Sequence, residues 1–154
     1  RQSALIDSGL DDAAQSGRAR TESADRMIER EQALGASVQW SFETHVHADH
    51  LSAEPYLKQR LGGQIVIGSH ITAVQETVGT LFNAPPDFAR NGSQFDVLLE
   101  DNASFALGTL EVKAMHTPGH TPACMSYLVQ VGDATVPFLG DTRFMPYYGT
   151  ARCD

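Results

Sequence analysis

The chain has 154 residues, 42% of them hydrophobic and 19% charged, which describes about one folded domain with material for a core and excludes a disordered polymer. Its formal charge of -8 excludes a nucleic-acid backbone as partner, because phosphate binding needs clustered Lys and Arg. No apolar run is long enough to span a bilayer, and the start lacks the basic, apolar and small-residue succession of a signal peptide.

Residues 3–8 form a short apolar run closed by Gly9, which predicts a buried strand feeding a loop over 11–17. Over 23–34, Ala24, Met27, Ile28 and Leu34 share one helical face, and Gly35 is placed to stop the helix. Apolar and polar residues alternate over 38–43, so a strand is expected with Val38, Trp40 and Phe42 packed inward. A second helix is expected over 53–61, with Tyr56, Leu57 and Leu61 inward and Gly62-Gly63 ending it. A buried strand over 64–68 follows, then a third helix marked by Ile71, Val74, Val78 and Leu81. Residues 82–93, carrying Pro85-Pro86 and Asn91-Gly92, read as an irregular surface connection. The pattern then turns to short strands over 95–99, 104–107, 110–115, 125–131 and 135–139, separated by Gly, Asp or Asn turns. The class is α/β, in a single domain spanning 1–154.

The strand at 38–43 delivers Thr44-His45-Val46-His47-Ala48-Asp49-His50 at its carboxyl end, where open α/β sheets place their sites. Alternate side chains of an extended or loop backbone point the same way, so His45 and His47 can converge on one cation while Asp49 and His50 face a neighbouring position. Imidazole beside carboxylate suits zinc and redox iron alike; a polar turn whose histidines cap a strand is the bland alternative. Between two later strands, His116-Thr117-Pro118-Gly119-His120 is a Gly/Pro-shaped loop able to hold an imidazole rigidly. His120, behind Gly119, is the better ligand candidate, with His116 packing the loop. Leu139-Gly140-Asp141 again ends an apolar strand in a carboxylate. As a lone motif it would be read as a turn, but metal sites draw ligands from separate segments. His70 opens the third helix without an assigned role. Cys124 and Cys153 carry no secreted disulfide pattern, which points to reduced thiols and a cytoplasmic setting.

The strings T-H-V-H-A-D-H at 44–50 and H-T-P-G-H-T at 116–121, followed by Gly140-Asp141, together resemble the metallo-β-lactamase superfamily over nearly the whole chain. The resemblance implies a four-layered αβ/βα sandwich. The longer strings E-T-H-V-H-A-D-H-L-S-A, H-T-P-G-H-T-P-A-C and G-D-T-R-F-M-P-Y-Y-G-T-A-R-C-D look most like the persulfide dioxygenases of the glyoxalase II-like branch. That implies one Fe(II) per chain, held by His45, His120 and Asp141, and conversion of glutathione persulfide with O2 and water to sulfite and glutathione. Two His and one carboxylate also form the facial triad of non-haem iron oxygenases. By the same resemblance Arg152 would offer a fork to a glutathione carboxylate. His47, Asp49 and His50 would support the ligands or outline an unfilled second metal position. The setting would be the bacterial cytoplasm, or the mitochondrial matrix in a eukaryote, with a homodimer left open. Family members continue with further strands, helices and a Gly-His-Asp-Tyr string, so a sandwich truncated at both ends is expected. The alternative is a zinc-dependent hydrolase of glyoxalase II or lactonase type with one or two Zn. His45, His47 and His120 would then hold one metal, and Asp49, His50 and Asp141 would surround the other. A module that binds metal or sulfur species without turnover is the third reading.

Overall fold

A computed structural model describes residues 1–13, 17–46 and 51–144, and its elements follow the two halves of the sequence pattern. In the first half, strands β1 (Gln2–Ile6), β4 (Ser37–Phe42), β5 (Gln64–Gly68) and β6 (Val97–Leu99) form a parallel sheet in that order. Helices α1 (Glu22–Ala33), α2 (Glu54–Leu61) and α3 (Ile71–Leu81) lie on the connections, as parallel pairing requires. The second half, β7 (Ser104–Leu107), β8 (Leu110–His116), β9 (Met125–Val131) and β10 (Ala134–Phe138), is an antiparallel meander. These elements supply a helical layer and two sheets of the expected sandwich.

Each face of the parallel sheet has its own apolar cluster. Leu5 and Val38 pack with Ala24 and Ile28 of α1 and Leu57 of α2. On the other face Phe42 and Val66 meet Val112, Ala114, Met125 and Tyr127 of the meander. Aromatic rings join the sheets there, with Phe42 4.7 Å from Tyr127 and 5.1 Å from Phe105 between centroids. The buried Tyr127 hydroxyl donates to the Glu43 carbonyl at 2.8 Å, so the sheet interface also satisfies the chain where β4 ends.

Two expectations are corrected. Val38 does not share a face with Trp40 and Phe42. The β1–β4 register runs Ser3 to Val38 and then Ala4 to Trp40, leaving Gln39 as an extra residue. This bulge reverses the side-chain parity, sending Val38 to the helices and Trp40 to the facing sheet. Second, part of the supposed loop over 11–17 is paired: β2 (Asp11–Ala13) forms a hairpin with β3 (Arg18–Arg20). Asp11 then accepts hydrogen bonds from the amide and hydroxyl of Ser23, both at 2.6 Å. It thereby serves an amide that the first turn of α1 leaves without a helical partner, and these bonds hold its carboxyl below the usual range. The third helix forms where Ile71, Val74, Val78 and Leu81 mark it; Ile71 is buried, but Val78 is 42% and Leu81 74% exposed, so its apolar face is only partly covered.

Asp96, just before β6, binds Lys58 Nζ through both oxygens at 2.6 Å and accepts from the Ile65 amide at 2.7 Å. Lys58 and the Ile65 amide hold its carboxyl below the ordinary value. A carboxyl depressed by folding stabilises above its unfolded pKa, and that contribution disappears as pH falls through the folded value. Asp96→Asn should therefore lower the melting temperature at pH 7 and leave it nearly unchanged near pH 2, as thermal unfolding at the two pH values would show.

Candidate metal centre

His45 is the third residue past β4, where the strand stops and the chain turns across the sheet end. Its placement is fixed through Thr44, which bonds to three sides. The Thr44 amide donates to Asp7 Oδ1 at 2.7 Å, its hydroxyl donates to Asp7 Oδ2 at 2.8 Å, and its carbonyl accepts from the Met125 amide at 2.8 Å. Asp7 follows β1 with φ of 49°, a left-handed conformation that Asp tolerates better than most residues. The Thr44 hydroxyl has one proton and gives it to a carboxylate, which can only accept. Thr44 Oγ1 therefore accepts at its 3.0 Å contact with His45 Nδ1. The network assigns the imidazole proton to Nδ1 and leaves Nε2 as the basic nitrogen.

His120 is carried by the loop between β8 and β9. This loop is closed at its base by the Thr117 amide bonding to the Cys124 carbonyl at 2.8 Å. Thr121 bonds to the buried Cys124 sulfur through its amide at 3.2 Å and its hydroxyl at 3.1 Å. His116 Nε2 reaches the Pro122 carbonyl at 2.8 Å, which makes it a loop-packing residue as expected. Asp141 lies in a short 3-10 turn, Gly140–Thr142, after β10. Thr142 Oγ1 lies 3.3 Å from Thr117 Oγ1, tying that turn to the His120 loop.

The three candidates meet. His45 Nε2 lies 3.9 Å and His120 Nε2 3.6 Å from Asp141 Oδ2, and the possible ligand atoms of the three residues all lie within 4.8 Å of one another. The imidazoles stand edge to face, with centroids 4.9 Å apart. Ligand bonds of about 2.1 Å in a tetrahedron place donors about 3.4 Å apart, so closure on an ion draws the carboxylate in by a few tenths of an ångström and the two imidazoles together by up to about an ångström. The donor set fits a divalent metal: two neutral imidazoles, one carboxylate, and a proton already placed away from the donor nitrogen of His45. His45 is 2% exposed, whereas His120 is 34% and Asp141 42% exposed. The cluster therefore has a buried side made by His45 and an open side toward solvent.

Behind His45, Glu43 accepts a short hydrogen bond from Ser52, and the fully buried Glu54 receives the Ser8 amide at 3.4 Å. Burial pushes the Glu54 carboxyl up, and neighbouring Glu43 adds to the effect. His47, Asp49, His50 and Arg152 lie outside the described residues. Reading the sequence gave no role to Asp7 and Thr44; the signal was there, since Ile6-Asp7-Ser8-Gly9 ends a strand in a carboxylate just as Leu139-Gly140-Asp141 does. His70, also unassigned, stacks on His116 with centroids 3.9 Å apart and planes at 12°.

Gly140 has φ of 50°, and an added Cβ would strike the Thr44 side chain, coming within 2.8 Å of its Cβ. A left-handed alanine costs about 1–2 kcal/mol, so Gly140→Ala should lower the melting temperature by roughly 2–8 °C. Because Thr44 must give way, metal retention should fall as well, which dialysis followed by elemental analysis would show.

The sequence profile of the Metallo-beta-lactamase superfamily matches residues 1–153. The chain is 62% identical to a probable metallo-hydrolase of Burkholderia pseudomallei, covering 98% of this chain and 53% of that protein. It is 43% identical to Glyoxylase B2 of Dictyostelium discoideum, over 100% of this chain and 52% of the relative. The human mitochondrial persulfide dioxygenase ETHE1 is 28% identical over 86% of this chain and 43% of its own length. Among solved structures, ETHE1 from Myxococcus xanthus superposes with a TM-score of 0.63 at 27% identity, covering 94% of this chain and 48% of that one. The chain thus spans about half the length of these relatives.

Proposed function

The chain belongs to the metallo-beta-lactamase superfamily, and from that premise we propose that it is a mononuclear Fe(II)-dependent dioxygenase of small-thiol persulfides. The observation that carries this reading is the convergence, among the described residues, of two imidazoles and one carboxylate, His45, His120 and Asp141, from three separate segments. A 2-His-1-carboxylate face with open positions is the arrangement of non-haem iron oxygenases. The likeness to the persulfide dioxygenase ETHE1 in sequence and to an ETHE1 structure supports the same choice. Glutathione persulfide, O2 and water would give glutathione and sulfite: the sulfur–sulfur bond breaks, the outer sulfur gives four electrons to dioxygen, and of the three protons brought by persulfide and water one ends on the thiol and two are released.

His45, His120 and Asp141 would hold the iron, and ferrous iron bound there supplies the one-electron chemistry that dioxygen requires. The rest of the work is done by the chain. The Asp7–Thr44 pair holds the His45 imidazole in one tautomer and orientation. The buried wall at His45 keeps water from one side, and the exposed edges of His120 and Asp141 leave the other side for substrate. Arg152 would pair with a substrate carboxylate, and His47, Asp49 and His50 would support the ligands.

A second reading has its own support. The 62% identical relative is named a metallo-hydrolase, and the string at 44–50 has enough donors for a second position. In that case zinc would replace iron, and a thioester or ester would be cleaved without oxygen. Oxygen uptake separates the two. Iron-loaded protein given glutathione persulfide should consume one O2 per sulfite formed, while the zinc-loaded form consumes none. Thioester cleavage by the zinc form, with no uptake by the iron form, would overturn the dioxygenase assignment.

A further inference from the structure

Beside the metal cluster lies a cavity of about 620 Å3, within the range of about 300–1,000 Å3 common for small-molecule sites. Val46 and Thr121 line it, and each directly follows a cluster residue, His45 and His120. Its far wall is α3, through Ile71, Val74 and Val78, faced by Phe88 and Phe95 of the 82–95 connection. Val78 and Phe88 remain exposed, so this wall is apolar surface left open to the solvent.

The polar groups that do line the cavity are already committed. Gln75 donates Nε2 to Gln94 Oε1 at 2.9 Å and accepts from the Gly92 amide at 2.9 Å. Gln94 in turn donates Nε2 to the Ala89 carbonyl at 2.7 Å. These bonds stitch the connection to α3 and hold the wall in shape. Arg90, paired with Glu76 at 2.9 Å, fastens the connection from outside. Among the described residues lining the cavity, none is charged. A carboxylate or ammonium group would find no counter-charge among them, whereas a hydrocarbon group would cover apolar surface.

We propose that this cavity is the subsite for a hydrocarbon group, so that the persulfide acted on carries an alkyl or aryl substituent reaching from the cluster along α3. The occupant is argued from continuity with the cluster: Val46 and Thr121, which directly follow His45 and His120, line the same cavity as the apolar residues of α3. This rests on the reading of the cluster as a site for a sulfur-terminated small molecule. It refines that reading by making glutathione a poorer carrier than a thiol with an apolar tail.

The test titrates ethyl, butyl, hexyl and octyl methyl sulfide into the Fe(II)-loaded chain under nitrogen by calorimetry. The same measurements are made on Val78→Glu, which alters an exposed residue and leaves the fold intact, and on Val74→Asn. Each buried methylene should tighten binding by about fourfold, the equivalent of about 0.8 kcal/mol, until the cavity fills. The length dependence should vanish in Val78→Glu, and hexyl persulfide should show a KM at least tenfold below that of glutathione persulfide. Affinity independent of chain length, or a length dependence that survives in Val78→Glu, would overturn the proposal. So would self-association of the chain through this face that excludes the sulfides. Length-dependent binding without oxygen uptake on any persulfide would remove the dioxygenase reading and leave the subsite standing.

Discussion

His120→Ala, His45→Ala and Asp141→Ala should each lose metal and turnover together, with activity below about one part in a thousand of the wild type. The three side chains are within 4.8 Å of one another but come from the end of β4, the β8–β9 loop and the turn after β10. Removing any one leaves two donors among the described residues, too few to fix a coordination geometry against water. The structural cost should differ. His120 and Asp141 are partly exposed, so their alanine variants should melt close to the wild type without metal. His45 is buried, and its alanine variant leaves a void beside Thr44 and should melt lower. His70→Ala, which removes a stacking partner of His116 and no cluster residue, should retain metal. Metal content after dialysis, melting temperature and turnover, measured on all four variants, separate ligand loss from unfolding. Full activity in any of the three cluster variants would remove that residue from the assignment.

Asp7→Asn should lower metal affinity by about 10–100-fold while leaving every cluster residue in place. The effect follows from proton direction. In the wild type both Asp7 oxygens accept from Thr44, one from its amide and one from its hydroxyl. An asparagine that keeps its oxygen on the buried Thr44 amide must turn its NH2 toward the Thr44 hydroxyl. The hydroxyl then donates to His45 Nδ1, and the imidazole proton moves to Nε2, the atom that faces Asp141. Asn tolerates the left-handed backbone of this position as well as Asp does, so backbone strain should add little. Thr44→Val should act in the same direction by removing the hydroxyl, with an added stability loss of about 1–3 kcal/mol for buried groups left unpaired. Nitrogen-15 shifts of His45 would report the tautomer directly. An unchanged tautomer and unchanged affinity in Asp7→Asn would show that the Thr44 contact does not orient the ligand.

Most of the architecture was legible because periodicity survives in single elements. The strand at Gln64–Gly68 and the meander strands at Ser104–Leu107 and Met125–Val131 stand where their apolar runs place them. The face of Val38 was not legible, since the bulge at Gln39 depends on pairing with β1, and alternation within one strand carries no record of its partner. The Asp11 hairpin was hidden for a related reason: its strands are short and polar, and Asp11 is held there by Ser23, which lies beyond the hairpin. The partial exposure of α3 could not be read, because helical spacing reports an apolar stripe without saying what covers it. In the cluster, the strand-end pattern offered His45, His120 and Asp141 among several candidates, and the resemblance to the persulfide dioxygenases singled out these three. Asp7 and Thr44 escaped notice because hydrogen-bond direction is a property of the folded contact, and neither residue is a metal donor in the pattern.

The central claim is that His45, His120 and Asp141 form one mononuclear centre. X-ray absorption on the Fe(II)-loaded chain tests it most directly. The account predicts one iron per chain, coordinated by two imidazole nitrogens and one carboxylate with the remaining positions filled by light atoms from solvent, and no heavy neighbour. A second metal at about 3.5–4 Å, or a nitrogen count unchanged in His120→Ala, would contradict it.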